Sequence, residues 1–503
     1  MNVLLVNNIY LILFVPLLTA IILLALPDYR LSARLNVASC FLTFLAALSL
    51  FFAKPESGRY LMIDDLNIVF VVLNTFVAFT TSAFSASYIA HELATGRLTS
   101  TQLRFYHAMY QLLLGAMNLA LVANNIGFMW VAIEVATLTT VVMVGMYRTH
   151  QALEAAWKYF ILGSVGIALA LFGTILVYLA ARPVIGAGTD SMVWTILIYM
   201  AARPVVGEGL NGMVWTVLID HVAQFDPALL NLAFVFLLLG YGTKVGLVPL
   251  HAWLPDAHAE GPTPISAVLS GLLLNVALYA VLRFKMLMAA NPGALAPGPL
   301  MAMLGLLSIV FAGFMLYRRG DIKRMFAYSS IEHMGIIVFA FGMGGALANF
   351  AGLLHMAMHS LTKSAIFFAV GHIVQAKGTQ KIADIRGLTV THPLLGWTLV
   401  VGVLAIVGMP PAGVFMSEFL IISSTVGRSP LLAVVMVIGL LVAFGSLVLR
   451  MHGMAFGTPS GGAAPVHASY LPMGAHLALV LAAGVYLPPP LVVWFQHIAA
   501  LLG

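Results

Sequence analysis

Three titratable side chains in the run GLLHMAMHSLTKSAIFF have a spacing that suits proton transfer. His355, His359 and Lys363 recur every four residues, so one face of an α-helix carries all three along about 12 Å. Histidine titrates near neutrality, and lysine supplies a further exchangeable proton. The pattern predicts a proton relay. The alternatives are histidines satisfied within a core, or a zinc pair, although the sequence has no third ligand nearby and no HExxH motif.

Two further ionisable residues lie alone in long apolar runs. Glu134 has apolar or small neighbours on both sides in GFMWVAIEVATLTTVVMVG, and Lys244 lies deep in FVFLLLGYGTKVGLVPL. A charge in the middle of a membrane costs about 3 kcal/mol or more unless it is paired or hydrated, so both residues are predicted proton or ion sites. Gly246 and Pro249 predict that the helix of Lys244 breaks. The alternative for Glu134 is a neutral carboxyl that hydrogen-bonds a neighbouring helix.

Lys158 and Glu418 complete the set of ionisable residues within apolar runs. Lys158, in EAAWKYFILGS, lies near the start of its run, where it could also extend its ammonium group to the membrane surface. Glu418 follows Pro410 and Pro411 in VGMPPAGVFMSEFLIISS, and the two prolines predict an interrupted helix. Both residues are therefore further candidates for the same pathway.

Two polar stretches are expected on one side of the membrane. PLHAWLPDAHAEGPTP contains His251, Asp256, His258 and Glu260. RRGDIKRMFAYSSIEHMG contains Asp321, Lys323, Ser329, Ser330, Glu332 and His333. The first stretch has the composition of a metal cluster, but its prolines hide the geometry. A funnel for protons or a helix-capping network is favoured over a metal.

The composition explains why so few charges are informative. Of 503 residues, 62% are hydrophobic and 8% are charged, with a net charge of +6, and the mean hydropathy is +1.03. Soluble domains carry about 25% charged residues, so a soluble enzyme, a disordered chain and a nucleic-acid binder are excluded. The single cysteine, Cys40, excludes internal disulfides and an iron–sulfur cluster held by this chain alone. Nucleotide and haem motifs are missing, so no cofactor is predicted.

Apolar runs long enough to span a bilayer predict an all-α polytopic membrane protein. Fourteen runs are found at 9–27, 35–53, 66–90, 105–123, 125–147, 155–180, 228–249, 264–285, 299–317, 325–345, 347–374, 394–425, 431–456 and 473–496. They leave no room for a soluble domain, so residues 1–503 are expected to form one membrane domain. The first run lacks a basic start and a cleavage site, and is expected to be retained rather than removed as a signal peptide.

The distribution of basic residues predicts the orientation. An even number of spans places both termini on the same side. One set of alternate loops holds thirteen basic residues, namely Arg30, Arg34, Arg97, Arg104, Arg148, Arg318, Arg319, Lys323, Arg324, Lys377, Lys381, Arg386 and Arg450. The other set holds seven, namely Lys54, Arg59, Arg182, Arg203, Arg283, Lys285 and Arg428. The excess favours a cytoplasmic first set and both termini outside.

A tandem duplication lies between the sixth and seventh runs, on the predicted outer side. Residues 178–198 read YLAARPVIGAGTDSMVWTILI, and residues 199–219 read YMAARPVVGEGLNGMVWTVLI. Two copies are too few for a solenoid, so the segment is interpreted as a recent duplication in a loop that tolerates insertion. Each copy ends in a short apolar stretch that could form a strand or lie on the membrane surface.

Several blocks resemble a known family of membrane subunits. The block GTKVGLVPLHAWLPDAHAEGPTPISAVLSGLLLNVALYAVLRF is similar to the signature of antiporter-like, proton-pumping subunits. These subunits occur in respiratory complex I, Mrp-type cation/proton antiporters and group 4 hydrogenases. The blocks DIKRMFAYSSIEHMG, HMAMHSLTKSAIFF and PPAGVFMSEFLI match further family motifs, so the similarity covers about residues 100 to 425. Within the family, the chain looks most like the hydrogenase-4 component F type.

The resemblance implies an architecture and a role for each candidate. It implies two inverted five-helix repeats, at about 100–290 and 299–456, with breaks in helices 7 and 12, and no lateral helix after residue 496. Glu134 and Lys244 would be the central acid–base pair, and Lys158 would match a basic position in helix 6. Lys363 with His355 and His359 would match the central hydrophilic axis, and Glu418 the exit side.

One position departs from the family pattern. In the block LLL-x-x-x-LY many complex I members carry a lysine or histidine, whereas this chain has Asn275. Asparagine can hold water but cannot carry a proton charge. A relay from Lys244 to His359 would therefore need a water molecule or another side chain.

These features predict a proton-translocating subunit of a larger redox complex in a bacterial or archaeal cytoplasmic membrane. The expected partners are other membrane subunits, a peripheral redox or zinc-bearing soluble arm and lipid, with no nucleic acid. The chain would have no redox site of its own. The alternatives are an Mrp-type Na+/H+ antiporter module and the membrane subunit of an inorganic-carbon uptake complex. A purely structural anchor would not require several buried charges.

Overall fold

The protein is a bundle of α-helices in a computed structural model that describes residues 2–185, 211–459, 464–466 and 468–503. No β-strand occurs in those ranges, which contain three isolated bridges, the longest-range of them between Asn125 and Val214. The middle of the 178–219 duplication, at 186–210, lies outside the described residues, as do residues 460–463 and 467.

The helices have the following bounds. The first half contains α1 (Asn2–Ala25), α2 (Tyr29–Leu48), α3 (Asp65–Ala94), α4 (Ser100–Val122), α5 (Ile126–Val144), α6 (His150–Ile185), α7 (Trp215–His221), α8 (Pro227–Val245), α9 (Trp253–Glu260) and α10 (Thr263–Val268). After a π-helical turn at Leu269–Leu273, the second half contains α11 (Leu274–Ala289), α12 (Gly298–Leu316), α13 (Ile322–Met343), α14 (Gly345–Lys377), α15 (Leu388–Thr391), α16 (Pro393–Ile406), α17 (Gly413–Val426), α18 (Pro430–Phe456), α19 (Tyr470–Val485) and α20 (Pro489–Leu501).

The predicted membrane spans are helices, which confirms the all-α membrane fold. Among the described residues, twelve spans are long and apolar enough to cross a bilayer, or thirteen if the bent pair α19–α20 counts as one. The predicted run 394–425 is two helices of 14 residues each, α16 and α17. The last run differs from its prediction, since α19 and α20 meet at 82°. The triple proline at 488–490 cannot continue the preceding helix, which accounts for the bend.

Both predicted helix breaks are present. Helix α8 ends at Gly246, whose φ of +82° lies in the left-handed region, and the chain continues through 247–252 to α9. Helix α16 ends before Gly408, which has a φ of +73°, and α17 resumes at Gly413. Glycine reaches this conformation without the steric penalty of a Cβ. The inverted-repeat relation of the two halves stays a prediction.

The centre of the bundle is formed by α14 and α10–α11, which are almost wholly buried. Helix α14 packs against α3, α13, α16, α17 and α19, so the face with the three spaced titratable residues points into protein. Close approach of neighbouring helices relies on small residues, as in other membrane bundles. A Cβ on Gly240 of α8 would lie 2.5 Å from the backbone of Ala170 in α6.

A buried ion pair connects three separate segments on one side of the bundle. The Arg283 guanidinium of α11 is 1% exposed and binds both carboxylate oxygens of Asp64, at 2.6 and 2.8 Å. Asp64 also caps α3, and the Trp215 ring lies 4.6 Å from the guanidinium carbon. Burial would raise the pKa of Asp64, but Arg283 and the capping hydrogen bonds outweigh it and hold that pKa below its usual range.

The sequence analysis placed three basic residues in loops, and the structure corrects this. Arg283 is 1% exposed and Lys285 is 4% exposed, because α11 continues to Ala289, and Lys323 is 2% exposed within α13. Their charges point into protein. Without these three buried residues, twelve basic residues remain in the first set and five in the second. The orientation itself stays a prediction.

Replacing Asp64 by Asn should destabilise the protein. The change leaves the buried Arg283 charge without its anion, which we expect to lower the unfolding free energy by about 3 kcal/mol, the lower end for a broken buried pair because Asp64 is partly exposed. Since its pKa is lowered on folding, Asp64 contributes stability above the ordinary carboxyl pKa, and the contribution is lost as the pH falls through the lowered value.

Thermal melting of the detergent-solubilised protein at neutral pH measures the effect. Asp65→Asn is the matched control, since Asp65 pairs with the exposed Lys54 and His497, and we expect it to lose less than about 1 kcal/mol. Equal melting temperatures for the two variants would contradict a stabilising role for the buried pair.

Deleting residues 188–208 should leave the fold intact. The end of α6 comes from the first copy of the duplication. The second copy provides Trp215, which contacts Arg283, and the hydrogen bonds of Trp215 and Thr216 to Asn124. The deletion removes one 21-residue period and keeps both parts in one hybrid copy. We expect an unchanged yield and melting temperature. Deletion of 211–219 is the control, and a deletion of 188–208 that behaves equally badly would contradict this interpretation.

Candidate functional site

Lys244 is held at the break after α8 against two helices of the first half. Its side chain is 1% exposed, its ammonium lies 5.6 Å from the centre of the Tyr159 ring, and Nζ has no hydrogen-bond partner among the described residues. A Cβ on Gly163 of α6 would lie 2.6 Å from Nζ. The absence of a side chain at Gly163 therefore gives the ammonium its place.

Glu134 of α5 faces the same region. It interacts electrostatically with Lys244, and its Oε2 atom has no hydrogen-bond partner among the described residues. The structure thus brings the predicted acid and base together, although their side chains form no ion pair within 4 Å in the described ranges. The Oε2 atom of Glu134 and the Nζ atom of Lys244 therefore need hydrogen bonds from outside the protein, and water is the usual partner of such atoms.

Two stacked aromatic side chains, Tyr159 and Trp253, pack next to Lys244. The rings of Tyr159 and Trp253 stack with centroids 4.2 Å apart and planes at 11°. The Tyr159 hydroxyl pairs with Thr140 at 2.8 Å, and Trp253 donates to the Thr243 carbonyl at 2.8 Å. Helix α9 is thereby tied to the last turn of α8, which holds the break in one shape.

The predicted stripe on α14 forms one buried face. His355, His359 and Lys363 are all 0% exposed. The Lys363 ammonium donates to the Phe326 carbonyl of α13 at 2.9 Å, and the Nδ1 atom of His355 pairs with the Ser417 hydroxyl of α17 at 2.9 Å. Both ring nitrogens of His359 lack a partner among the described residues. Tertiary packing thus connects the stripe to α13 at one end and to α17 at the other.

Two residues of α13 join this face. The Nδ1 atom of His333 lies 2.9 Å from Nε2 of His355, and its ring stacks on His359 with centroids 5.5 Å apart. Glu332 is 3% exposed and interacts electrostatically with Lys363. The sequence analysis had placed both in a polar stretch expected on one side of the membrane. Glu332 is the eleventh residue of α13, about 15 Å from its start, and this depth was the missed signal.

Glu418 of α17 completes the buried cluster. A Cβ on Gly408 would lie 2.1 Å from Glu418 Oε2, so the carboxylate rests against the backbone of the break before α17. A small cavity of about 20 Å³ is lined by Glu332, His333 and Glu418 together with apolar residues of α16 and α18. A space of this size accommodates about one water molecule.

The buried cluster around His333, His355 and Glu418 is relevant to the zinc-site alternative considered for His355 and His359. The sequence offered no third ligand to the pair His355 and His359, but the structure places ligand atoms of His333, His355 and Glu418 within 4.8 Å of one another. These three residues could hold an ion by type and distance. However, His333 and His355 already form a hydrogen bond with each other, so a proton can pass between them without any rearrangement, whereas an ion would have to displace that proton.

Lys158 does not join the buried groups. Its side chain is 48% exposed and pairs with Glu154 at 2.7 Å and with Asp256 at 3.1 Å. Arg324 extends this network, with contacts of 3.3 Å to Asp256 and 3.2 Å to Glu260. The structure thus places Lys158 at a charged rim around α9, and its predicted place in a proton pathway stays a prediction.

Asn275 of α11 contacts the helix that carries the stripe. Helix α11 packs against α8, and the Asn275 amide donates to the Ser360 hydroxyl of α14 at 2.6 Å. Its Oδ1 atom has no hydrogen-bond partner among the described residues. The α11 side chain that contacts α14 is therefore polar but carries no ionisable proton.

Comparisons with known proteins place this geometry in context. Residues 123–443 match the family described as NADH:quinone oxidoreductase/Mrp antiporter, TM. A hydrogenase-4 component F homolog from Methylacidiphilum infernorum (isolate V4) is 60% identical over 487 residues, which are 97% of this chain and 98% of that protein. NADH-quinone oxidoreductase subunit N of Desulforudis audaxviator (strain MP104C) is 26% identical over 412 residues, 81% of this chain and 75% of that protein.

A solved structure shows the same fold. A chain of the membrane-bound sulfane sulfur reductase, an archaeal respiratory membrane complex, superposes with a TM-score of 0.81. The superposition covers 98% of this chain and 97% of that chain at 23% sequence identity.

Replacing Gly408 by Ala should disturb the break next to Glu418. A Cβ would both force a non-glycine residue to a φ of +73° and collide with the carboxylate, so we expect a loss of at least about 1 kcal/mol. Gly445→Ala is the matched control, because a Cβ there meets nothing within 4 Å. Melting temperatures of the solubilised variants measure the difference, and a Gly408→Ala protein as stable as the control would contradict it.

Proposed function

This chain belongs to the NADH:quinone oxidoreductase/Mrp antiporter family of membrane subunits and is a close homologue of a hydrogenase-4 component F homolog, and we propose that it translocates protons within a multi-subunit membrane redox complex. The resemblance predicted from the sequence motifs is thereby confirmed. The proton pathway and the redox partner are the parts that the proposal adds.

The observation that carries the proposal is a continuous buried set of proton-exchanging groups in the second half. Lys363 interacts with Glu332, and the stacked rings of His359 and His333 lead to the hydrogen bond between His333 and His355. Glu418 shares a water-sized cavity with Glu332 and His333. An anchor would not require such a series in its core, because each member is costly to bury.

Glu134 and Lys244 would couple this series to energy released elsewhere in the complex. Their charges interact, so a change in the protonation or position of one alters the affinity of the other for a proton. A proton released by Lys244 would pass the Asn275 region by water and move along α14 towards Glu418. Unpartnered atoms on Lys244, Asn275 and His359 provide the hydrogen-bonding sites that such water needs.

The proposed setting follows from the relatives. The hydrogenase-4 name of the 60% identical protein supports a complex with other membrane subunits and a peripheral redox arm. We place it in a bacterial or archaeal cytoplasmic membrane with both termini on the outer side. The Mrp part of the family description supports a second candidate, a Na+/H+ antiporter module without a redox partner. Co-purification of a zinc-bearing soluble protein would favour the third candidate, the membrane subunit of an inorganic-carbon uptake complex.

Glu134→Gln and Lys244→Ala should lower proton pumping by tenfold or more, which is about the loss expected when an acid–base group is removed. The complex is purified through this chain, its co-purifying subunits identify the electron donor, and pumping into liposomes is followed with a pH-sensitive dye. Glu56→Gln is the control, since Glu56 is an exposed loop carboxylate. Assembled Glu134→Gln and Lys244→Ala complexes that pump normally would contradict the proposal, and Na+-dependent transport without a donor would favour the antiporter.

A further inference from the structure

The position of Asn275 raises the question of how Lys363 acquires its proton. Helix α11 packs against α8 and bonds α14 through Asn275, which has no ionisable proton. Near Lys363 there are also buried basic groups that the pathway from Lys244 does not use. They are His258 of α9 and Lys323 of α13, which are 0% and 2% exposed.

His258 lies beside Lys363 and has free hydrogen-bonding capacity. Its ring stacks on Phe367 of α14 with centroids 5.0 Å apart and planes at 8°. Phe367 is one helical turn from Lys363. Neither ring nitrogen of His258 has a hydrogen-bond partner among the described residues. His107 shares this condition, so what distinguishes His258 is that both Lys323 and Lys363 act on its ring.

Lys323 lies on the other side of His258. Its ammonium donates to the carbonyls of Ala259 at 2.9 Å and Gly261 at 2.6 Å, directly after His258 in the chain. Both Lys323 and Lys363 interact electrostatically with the His258 ring. A role in capping the last carbonyls of α9 would explain why Lys323 is buried. It does not explain why both ring nitrogens of His258 lack hydrogen-bond partners among the described residues.

His258 and Lys323 lie next in the chain to the charged rim around α9. Asp256 and Glu260 flank His258 on α9, and their side chains are 24% and 25% exposed. Arg324 follows Lys323 in the chain, contacts both acids and is 40% exposed. Partly exposed carboxylates at a rim can collect protons from water, and the adjacent buried bases can carry them inwards.

We propose that Asp256 and Glu260, Lys323 and His258 form a second proton-uptake route, which loads Lys363 directly and runs parallel to the Glu134–Lys244 route. The inference rests on the proposed proton-translocating function. Each step transfers one proton between a donor and an acceptor nitrogen or oxygen, with water bridging the gaps, and no other bond changes. The two routes meet at Lys363 and share the remaining path to Glu418.

The test measures proton uptake by the whole complex in liposomes. A potassium diffusion potential set with valinomycin drives uptake, and an internal pH dye reports its rate, so no electron donor is required. Redox-driven pumping requires Glu134 for coupling, but this passive uptake requires only one open route. His258→Phe and Glu134→Gln should therefore each lower the rate of passive uptake about twofold, and the double variant should lower it tenfold or more, because parallel routes compensate for each other. His107→Phe should leave the rate unchanged, since His107 is equally buried with both nitrogens unpartnered but lies in α4 against Tyr106.

The outcomes separate this inference from the function on which it rests. Lys363→Met should abolish uptake, because Lys363 is the residue at which the two routes meet. If Lys363→Met abolishes uptake while His258→Phe behaves like His107→Phe, the second route is wrong and the proposed function stands. If Glu134→Gln alone is as inactive as the double variant, the path is a single series and the second route is again wrong. If Lys363→Met conducts normally, the proposed function itself is contradicted.

Discussion

The structure depends on one constraint: an ammonium, imidazole or carboxyl group inside an apolar helical bundle must receive hydrogen bonds from somewhere. Within a regular helix the N–H groups are used, and each carbonyl is already bonded once, so only its second lone pair remains available. Lys363 and Lys323 meet the constraint with carbonyls of neighbouring elements. Lys244 and His359 find no protein partner among the described residues and therefore require water.

The helix breaks are the local response to that constraint. At Gly246 and Gly408 the left-handed backbone ends a helix within the bundle, and each break lies beside a buried charge. The same breaks bring short segments such as α9 into the core, which is how His258 comes to lie next to Phe367 and Lys363.

Two buried clusters with a weak connection have consequences for coupling. The first contains Glu134 and Lys244, and the second extends from Lys363 to Glu418. Helix α11 packs against α8, and its Asn275 contacts α14 through a hydrogen bond to Ser360 and not through an ionisable group. Events in the first cluster can then reach the second through charge and water rather than through a fixed side-chain relay, since electrostatic interactions are strong where the dielectric is low.

The sequence by itself determined the class of fold, the breaks, the buried Lys244, Lys363 and Glu418 and the half-buried Glu134, because apolar runs, prolines and isolated charges are local signals. It could not reveal which charged residues near helix ends turn inwards. Arg283, Glu332 and His333 were assigned to a loop or to a polar stretch on one side of the membrane, yet α11 and α13 bury them. Only the tertiary structure decided that Lys158 stays at a charged rim and that His333 pairs with His355. The physical reason is that burial and partnership depend on which helices pack together, and residues far apart in the chain meet only in the assembled bundle.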